Sequence, residues 1–354
     1  MILILFIGLY FIAVATLQKS VQIQKNLLIL VCIILTWMIG NRDLAWADTF
    51  VYVMAFNQAP TIFQIHADTI PFGYSEIGYF YLASIIKTIY NDSFFYLVVM
   101  GALSMFLLYK SLTKYCIFPL IGICDYIGRF LLNRDFTQMR SSLAILLIIF
   151  TIDFIYKKEI WKFLGVVFLA YQFHRMAIIA LPVYFLYKVR FHKTTIVISL
   201  IAAFILSQVI ASSISGTVDS WSEDLQYETY TQGNYVEEAL GLRNPLIYFQ
   251  LAVLLVFTFM EEKLKQIAPY YYLLRTGYFY STMILIFFCN YTALSGRTST
   301  MFATMEMFIL PVIGMAFKKN VRILYYMVLG VILIYFFYSK YNGAMIEMAG
   351  SNLS

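Results

Sequence analysis

The chain has 354 residues, of which 62% are hydrophobic, 18% aromatic and only 12% charged, with a formal net charge of +6 at pH 7. A soluble domain carries about 25% charged residues, so this composition excludes an ordinary soluble globular protein and identifies a chain built for lipid. The net positive charge does not point to nucleic acid, because the basic residues form short clusters between apolar runs and never one stripe.

Apolar runs of about 15 to 22 residues recur along nearly the whole chain, and in hydrocarbon only helices or closed barrels satisfy every backbone N–H and C=O. The runs lack the period-2 alternation of barrel strands, so the chain reads as an all-α polytopic membrane protein. The N-terminal stretch MILILFIGLYFIAVATLQKS lacks a basic leader and carries Lys19 and Lys25 on its far side. That charge order predicts a retained first helix with its N-terminus outside. Helices follow at roughly 1–17, 26–40, 93–109, 115–132, 136–156, 160–173, 176–189, 194–212, 244–260, 272–290, 298–317 and 321–338. The expected count is about twelve (11–13) crossings, with both termini outside. Residues 1–354 read as a single integral membrane domain with outer loops at 41–75 and 213–243. Cys32, Cys116, Cys124 and Cys289 sit in apolar segments without CxxC or Cys/His spacing, as small core residues do.

The stretch 76–90, EIGYFYLASIIKTIY, is apolar but short, and whether it crosses sets the orientation of everything after it. Kept on the outer side as an interfacial or re-entrant helix, it places Lys19/Lys25, Lys110/Lys114, Lys157/Lys158/Lys162, Lys188/Arg190/Lys193, Lys263/Lys265 and Lys318/Lys319/Arg322 inside, as the positive-inside rule requires. In that topology 13 of 15 lysines are inside, whereas seven of 10 arginines are outside: Arg42, Arg129, Arg134, Arg140, Arg175, Arg243 and Arg297. Lysine sets orientation, and outward arginine works against it. The guanidinium fork binds phosphate or carboxylate bidentately and stays charged when partly desolvated, so an anionic ligand on the outer face accounts for the arginines economically.

The first outer loop, with NRDLAWADTFVYVMAF and then YSEIGYFYL, supplies Arg42, Asp48, Tyr52, Glu76 and Tyr79. Asp48 and Glu76 are candidates for a general base or for acceptors of sugar hydroxyls; for Asp48 the alternative is the cap of a short interfacial helix. Asp125 and Arg129, four residues apart, read as an intrahelical ion pair. In NRDFTQMRSS, Asp135 and Gln138 fit a capping box that starts a helix near Phe136. Arg140 then lies one turn down at the edge of the hydrocarbon, where it either binds a ligand or is held by a salt bridge. His174 and Arg175 share an outer hairpin turn, where His174 serves phosphate binding or proton transfer, or simply satisfies exposed carbonyls. Arg297 stands at another outer helix start, with Glu306 nine residues further in. The long polar segment before Arg243 carries Trp221, Tyr227 and several carboxylates, a set suited to sugars but also to a solvated loop. Walker A, HExxH, GxSxG and inner DxD-like patterns do not occur, which argues against an ATPase, a zincin, a serine hydrolase and an inner nucleotide-sugar site.

The order Arg42, Asp48, Tyr52, then Glu76-x-Gly78-Tyr79, RDFxQxRxxLA from Arg134 to Ala144, the Phe173-His174 turn and a late Arg297 resembles the EpsG family, which groups with Wzy-type O-antigen and exopolysaccharide polymerases. Ala47 stands where that family commonly has glycine. The resemblance implies a GT-C-like glycosyltransferase of the bacterial cytoplasmic (inner) membrane. Its donor and acceptor would be undecaprenyl-pyrophosphate-linked oligosaccharides, joined on the periplasmic or exterior face, with a chain-length regulator as partner by family analogy. Arg140, Arg134 and Arg297 would hold the pyrophosphate with help from Arg42 and Arg175, and Asp48, Glu76 or His174 would activate the acceptor hydroxyl. Tyr52, Tyr79, Trp221 and Tyr227 would contact glycan. No metal or other cofactor is required where arginines carry the phosphate charge. A flippase for the same lipid-linked glycan and an O-antigen ligase are the competing expectations.

Overall fold

A computed structural model describes residues 2–17, 19–66, 69, 76–209 and 240–351. In chain order its α-helices are α1 (Ile2–Ala15), α2 (Val21–Gly40), α3 (Thr49–Gln58), α4 (Ile77–Ile89), α5 (Ser93–Tyr115), α6 (Pro119–Tyr126), α7 (Met139–Phe150), α8 (Ile152–Tyr156) and α9 (Ile160–Tyr171). They continue with α10 (Leu181–Val189), α11 (Lys193–Val209), α12 (Pro245–Phe259), α13 (Glu261–Ile267), α14 (Tyr271–Phe287), α15 (Thr292–Ala303), α16 (Glu306–Met315) and α17 (Lys319–Ser351). None of the described residues is in a strand. The chain is a multi-pass helical membrane protein. Among the described residues Val21–Gly40, Ser93–Tyr115, Met139–Tyr156 and Lys319–Ile346 are each long and apolar enough to cross, making four spans, or six if the bent pairs α12–α13 and Leu294–Ala303 with α16 each count as one. Other expected crossings fall on shorter apolar helices such as α1, α9 and α11. All four cysteines are free and buried, as small core residues should be.

The chain divides into two compact units, Met1–Ile178 with Leu310–Ser354, and Ile179–Ile309. Within the first, local chemistry starts the long helices: the Ser20 side chain caps α2 by accepting from the Ile23 N–H, and Asp92 caps α5 by accepting from Phe95 N–H at 2.7 Å. Helices α2 and α5 pack closely because glycine sits at both crossings. A Cβ on Gly40 would lie 2.3 Å from a Val98 methyl, and one on Gly101 would lie 3.0 Å from an Ile39 methyl. These contacts run antiparallel, so the Lys25 end of α2 and the Lys110/Lys114 end of α5 lie together. In the same way Phe6 packs on Phe337 and the Tyr10 ring approaches Gly330, which makes α1 antiparallel to α17 and brings Lys19 to the Lys319 end. The unit therefore has a lysine end and, opposite it, an end carrying Arg42, Arg134 and Arg140.

In the second unit α14 is central, with α10, α11, α12 and α15 packed on it. Its buried Arg275 pairs with Glu261 at 2.8 Å and donates to the Phe191 carbonyl at 2.8 Å, while the Tyr272 hydroxyl donates to the same carboxylate at 3.0 Å.

Candidate active site

The arginine end of the first unit is organised by a departure from α geometry. After α6 the backbone continues as a π-helix over Ile127–Thr137, a form rare outside single turns and frequent at functional sites. Its i→i+5 spacing brings residues five apart onto one face. Arg129 and Arg134 accordingly both lie over the Phe130 ring, at 5.3 and 4.1 Å from its centre, with Arg129 also 4.7 Å from the Phe336 ring. Both arginines are buried, as is Asp125.

Asp135 differs from its expected role. The π-helix runs through Thr137, so α7 starts only after Gln138, which takes the N-cap position without a side-chain bond. Asp135 thus lies inside a helix with its carboxylate turned into the core. It accepts from the Tyr126 hydroxyl and from the Ser142 hydroxyl, each at 2.7 Å. Burial pushes this carboxyl above the usual carboxylate value, against the pull of those hydroxyls and of the Arg134 charge. No sequence spacing announces the Tyr126–Asp135–Ser142 set.

The first loop is tied to this helix by Arg42. Its Nε donates to Thr49 Oγ1 at 2.9 Å, its Nη1 to the carbonyls of Ile39 and Asp135 at 3.2 Å each, and its Nη2 to Met139 Sδ at 2.9 Å. Burial pushes the guanidinium below its usual value, opposed by Tyr52, Tyr96 and Asp135 around it. Trp46 adds a second tie, donating to Thr137 Oγ1 at 3.0 Å. Asp48 occupies the N-cap position of α3, but its side chain makes no capping bond and its backbone is left-handed, at φ 62°. It is exposed, at the rim of the loop.

Arg140 and Glu76, 64 residues apart, meet as a salt bridge. Arg140 also bonds to the Tyr52 hydroxyl and lies 5.9 Å from the centre of the Tyr79 ring, whose hydroxyl meets that of Tyr96. Tyr52 and Tyr79 are only 1% and 3% exposed, so their rings form the floor under Arg140 and present no open stacking face. Tyr96 completes that floor, stacked on Phe56 at 4.6 Å; sequence reasoning missed it because it lies within a long apolar helix. Glu76 is placed by the glycine of its own motif. The N–H groups of Gly78 and Tyr79 donate to the Gln172 carbonyl at 2.9 and 3.3 Å, and a Cβ at residue 78 would lie 2.6 Å from Gln172 Cβ. This docks the first turn of α4 on the turn that carries His174. His174 is buried, and its Nδ1 accepts from the Met176 N–H at 3.3 Å, so the ring holds the start of the short 3-10 helix Arg175–Ala180. Arg175 is half-buried beside it.

The first unit thus brings together Arg42, Arg134, Arg140, Glu76, Tyr52 and Tyr79, with Asp48 on the first loop and His174 and Arg175 on the turn beneath α4. Arg297 lies on α15 in the second unit, half-buried, and Glu306 is buried there with the Tyr278 hydroxyl donating to it at 2.8 Å. Trp221 and Tyr227, with most of the 213–243 loop, lie outside the described residues.

No curated protein and no solved structure matches the chain. Residues 25–349, a span that includes Arg42, Glu76, Arg140, His174 and Arg297, match the profile of the EpsG family, and the chain belongs to that family.

Proposed function

We propose that this membrane polysaccharide polymerase joins undecaprenyl-pyrophosphate-linked oligosaccharide units at the arginine end of its first unit, on the outer face of the cytoplasmic membrane. The carrying observation is the Arg140–Glu76 pair, set in a buried ring of aromatic and arginine side chains opposite the lysine end. The positive-inside rule turns the lysine end to the cytoplasm and this pair outward. The antiparallel α2 and α5 support the same orientation, because α4, at 13 residues and 1.5 Å per residue, is too short for a full crossing.

In the proposed reaction a hydroxyl of the acceptor glycan attacks the anomeric carbon of the donor. The new C–O bond forms as the bond to pyrophosphate breaks, and the leaving pyrophosphate departs with the bonding electron pair. Arg140 exchanges Glu76 for the pyrophosphate and neutralises its growing charge, electrostatic work of the kind that dominates such transfers. Glu76, released from the pair, accepts the hydroxyl proton. Arg134 supports the same charge from the π-helix. Asp48 lies at the rim, where it contacts the acceptor, and Arg42 holds the loop. An apolar groove of about 590 Å³ between α2 and α5, reaching Trp37 three residues from the end of α2, suits the prenyl tail.

Purified protein supplied with a lipid-linked repeat unit should build a ladder of longer glycans. A product confined to a single addition would make it a transferase or ligase, and movement of the intact substrate across vesicles without any ladder would make it a transporter.

A further inference from the structure

A cavity of about 420 Å³ opens at the lysine end, between the last residues of α1, the residue before α6 and the start of α17. Its wall is divided chemically. Val14, Leu17, Phe118 and Ile323 make an apolar side, whereas Lys19, Lys319 and Arg322 bring three cations from chain segments some 300 residues apart. Among the described residues no carboxylate pairs with any of the three. Arg322 spends one Nη2 edge on the Phe317 and Met315 carbonyls at 3.2 and 3.4 Å, near the end of α16, while its buried Nε has no hydrogen-bond partner. A buried donor left unsatisfied is costly, and a cationic one more so, which makes this the feature of the cavity that calls for an anion.

The level of the cavity in the fold identifies the anion. Lys319 is the first residue of the apolar span Lys319–Ile346, and Lys19 lies just past the apolar α1, so the cations stand at the end of two hydrocarbon helices, where lipid phosphates lie. Next to them the outward residues of α17, among them Ile323, Leu324 and Met327, are exposed and apolar. A free anion would use only the charged wall; a phospholipid would use both, with its phosphate on the cations and its acyl chains along the helix. We infer that this cavity binds the phosphate headgroup of an anionic phospholipid in the leaflet at the lysine end, a site separate from the arginine end and independent of the function proposed there. Basic pockets between spans are a recognised mode of headgroup capture.

The test uses the full chain in nanodiscs of phosphatidylcholine with a minor fraction of phosphatidylglycerol, followed by native mass spectrometry of the lipid retained on release. Phosphatidylglycerol should be enriched about tenfold or more over its share, and K19Q/K319Q/R322Q should lose that enrichment, while K25Q/K162Q, which removes two lysines outside the cavity, keeps it. Equal retention in all three proteins overturns the site. Displacement of the retained lipid by millimolar inorganic phosphate also overturns it, because the pocket would then be a free-phosphate site. A photoreactive phosphatidylglycerol on the unaltered protein supplies a readout that needs no variant: crosslinks to Val14–Leu17 or Ile323–Tyr326 support the assignment, and crosslinks confined to other helices refute it.

Discussion

At the lysine end of the first unit Lys114 reaches Asp153 with a side chain that is 41% exposed, whereas at the arginine end Arg140 meets Glu76 with exposures of 14% and 5%. In the first pair only the lysine stands in water, since Asp153 is 8% exposed; screening at the lysine and the entropy of its long side chain keep its net effect small. The second is taken out of water and held by Tyr52, Tyr79 and the docked turn of α4, so its geometry is set by packing on every side. The contrast separates two uses of positive charge in one membrane protein. Exposed lysines suit the positive-inside bias, while arginines in fixed poses keep a strong field at one place, where the proposed reaction puts its pyrophosphate.

The largest expected effect breaks the arginine side of that contrast. Arg140→Ala leaves Glu76 buried without its counter-charge, at a cost of about 3–5 kcal/mol, and should abolish the glycan ladder. Loss of stability alone does not reveal a role in chemistry, so Arg140→Leu with Glu76→Leu is the decisive comparison. Replacing both members of a buried pair with apolar groups is nearly neutral for folding, so the double variant should recover the melting temperature but not polymerisation. A double variant that builds the ladder would reduce the pair to a structural tie.

Gly78→Ala attacks the same pair from outside it. The new methyl would fall 2.6 Å from Gln172 Cβ and 2.9 Å from the Gln172 carbonyl oxygen, backbone that cannot easily move aside. Overpacking of this kind costs about 1–3 kcal/mol, and it shifts Glu76 and the His174 turn together. Thermal unfolding should show the loss, and activity should fall further than the shift in stability alone explains.

These variants also mark what the sequence could and could not reveal. An arginine at the edge of hydrocarbon needs a counter-charge, so Arg140 was legible, and Glu76 was legible as a carboxylate on the same side. Their pairing was not, because it depends on α4 lying on the turn after α9, a contact of residues nearly a hundred positions apart. Gly78 was visible as part of a motif, but its reason, a backbone approach to Gln172, exists only in the fold. The π-helix left no trace in the apolar pattern, and it is what carried Asp135 from a predicted cap into the core. Tyr52 and Tyr79 had the composition of a sugar platform; packing made them the floor beneath Arg140.

Asp48 probes the rim of the site with a smaller effect. Its left-handed backbone costs a non-glycine residue about 1–2 kcal/mol, so Asp48→Gly should stabilise the protein slightly and Asp48→Ala should not. If the carboxylate contacts the acceptor, both variants lose activity together. If only the turn matters, Asp48→Gly polymerises normally while Asp48→Ala declines, and the activity ratio of the two variants measures which holds.

The smallest effect belongs to the lysine end. Lys114→Gln removes a cation from Asp153, yet the carboxylate keeps Lys157 at 3.4 Å, one turn along its own helix. With the lysine itself in water and a second cation left beside the buried carboxylate, the expected loss is below about 1 kcal/mol and should shrink further in high salt. Chain orientation should also survive, because Lys110, Lys157 and Lys158 remain to hold the positive-inside bias on the neighbouring spans. Measured by thermal unfolding at low and high ionic strength, a Lys114→Gln penalty as large as that of Arg140→Ala, and insensitive to salt, would erase the distinction between the two ends: the lysine would then be working as a desolvated charge, and exposure would no longer separate the cations expected to orient the chain from those proposed to meet the substrate.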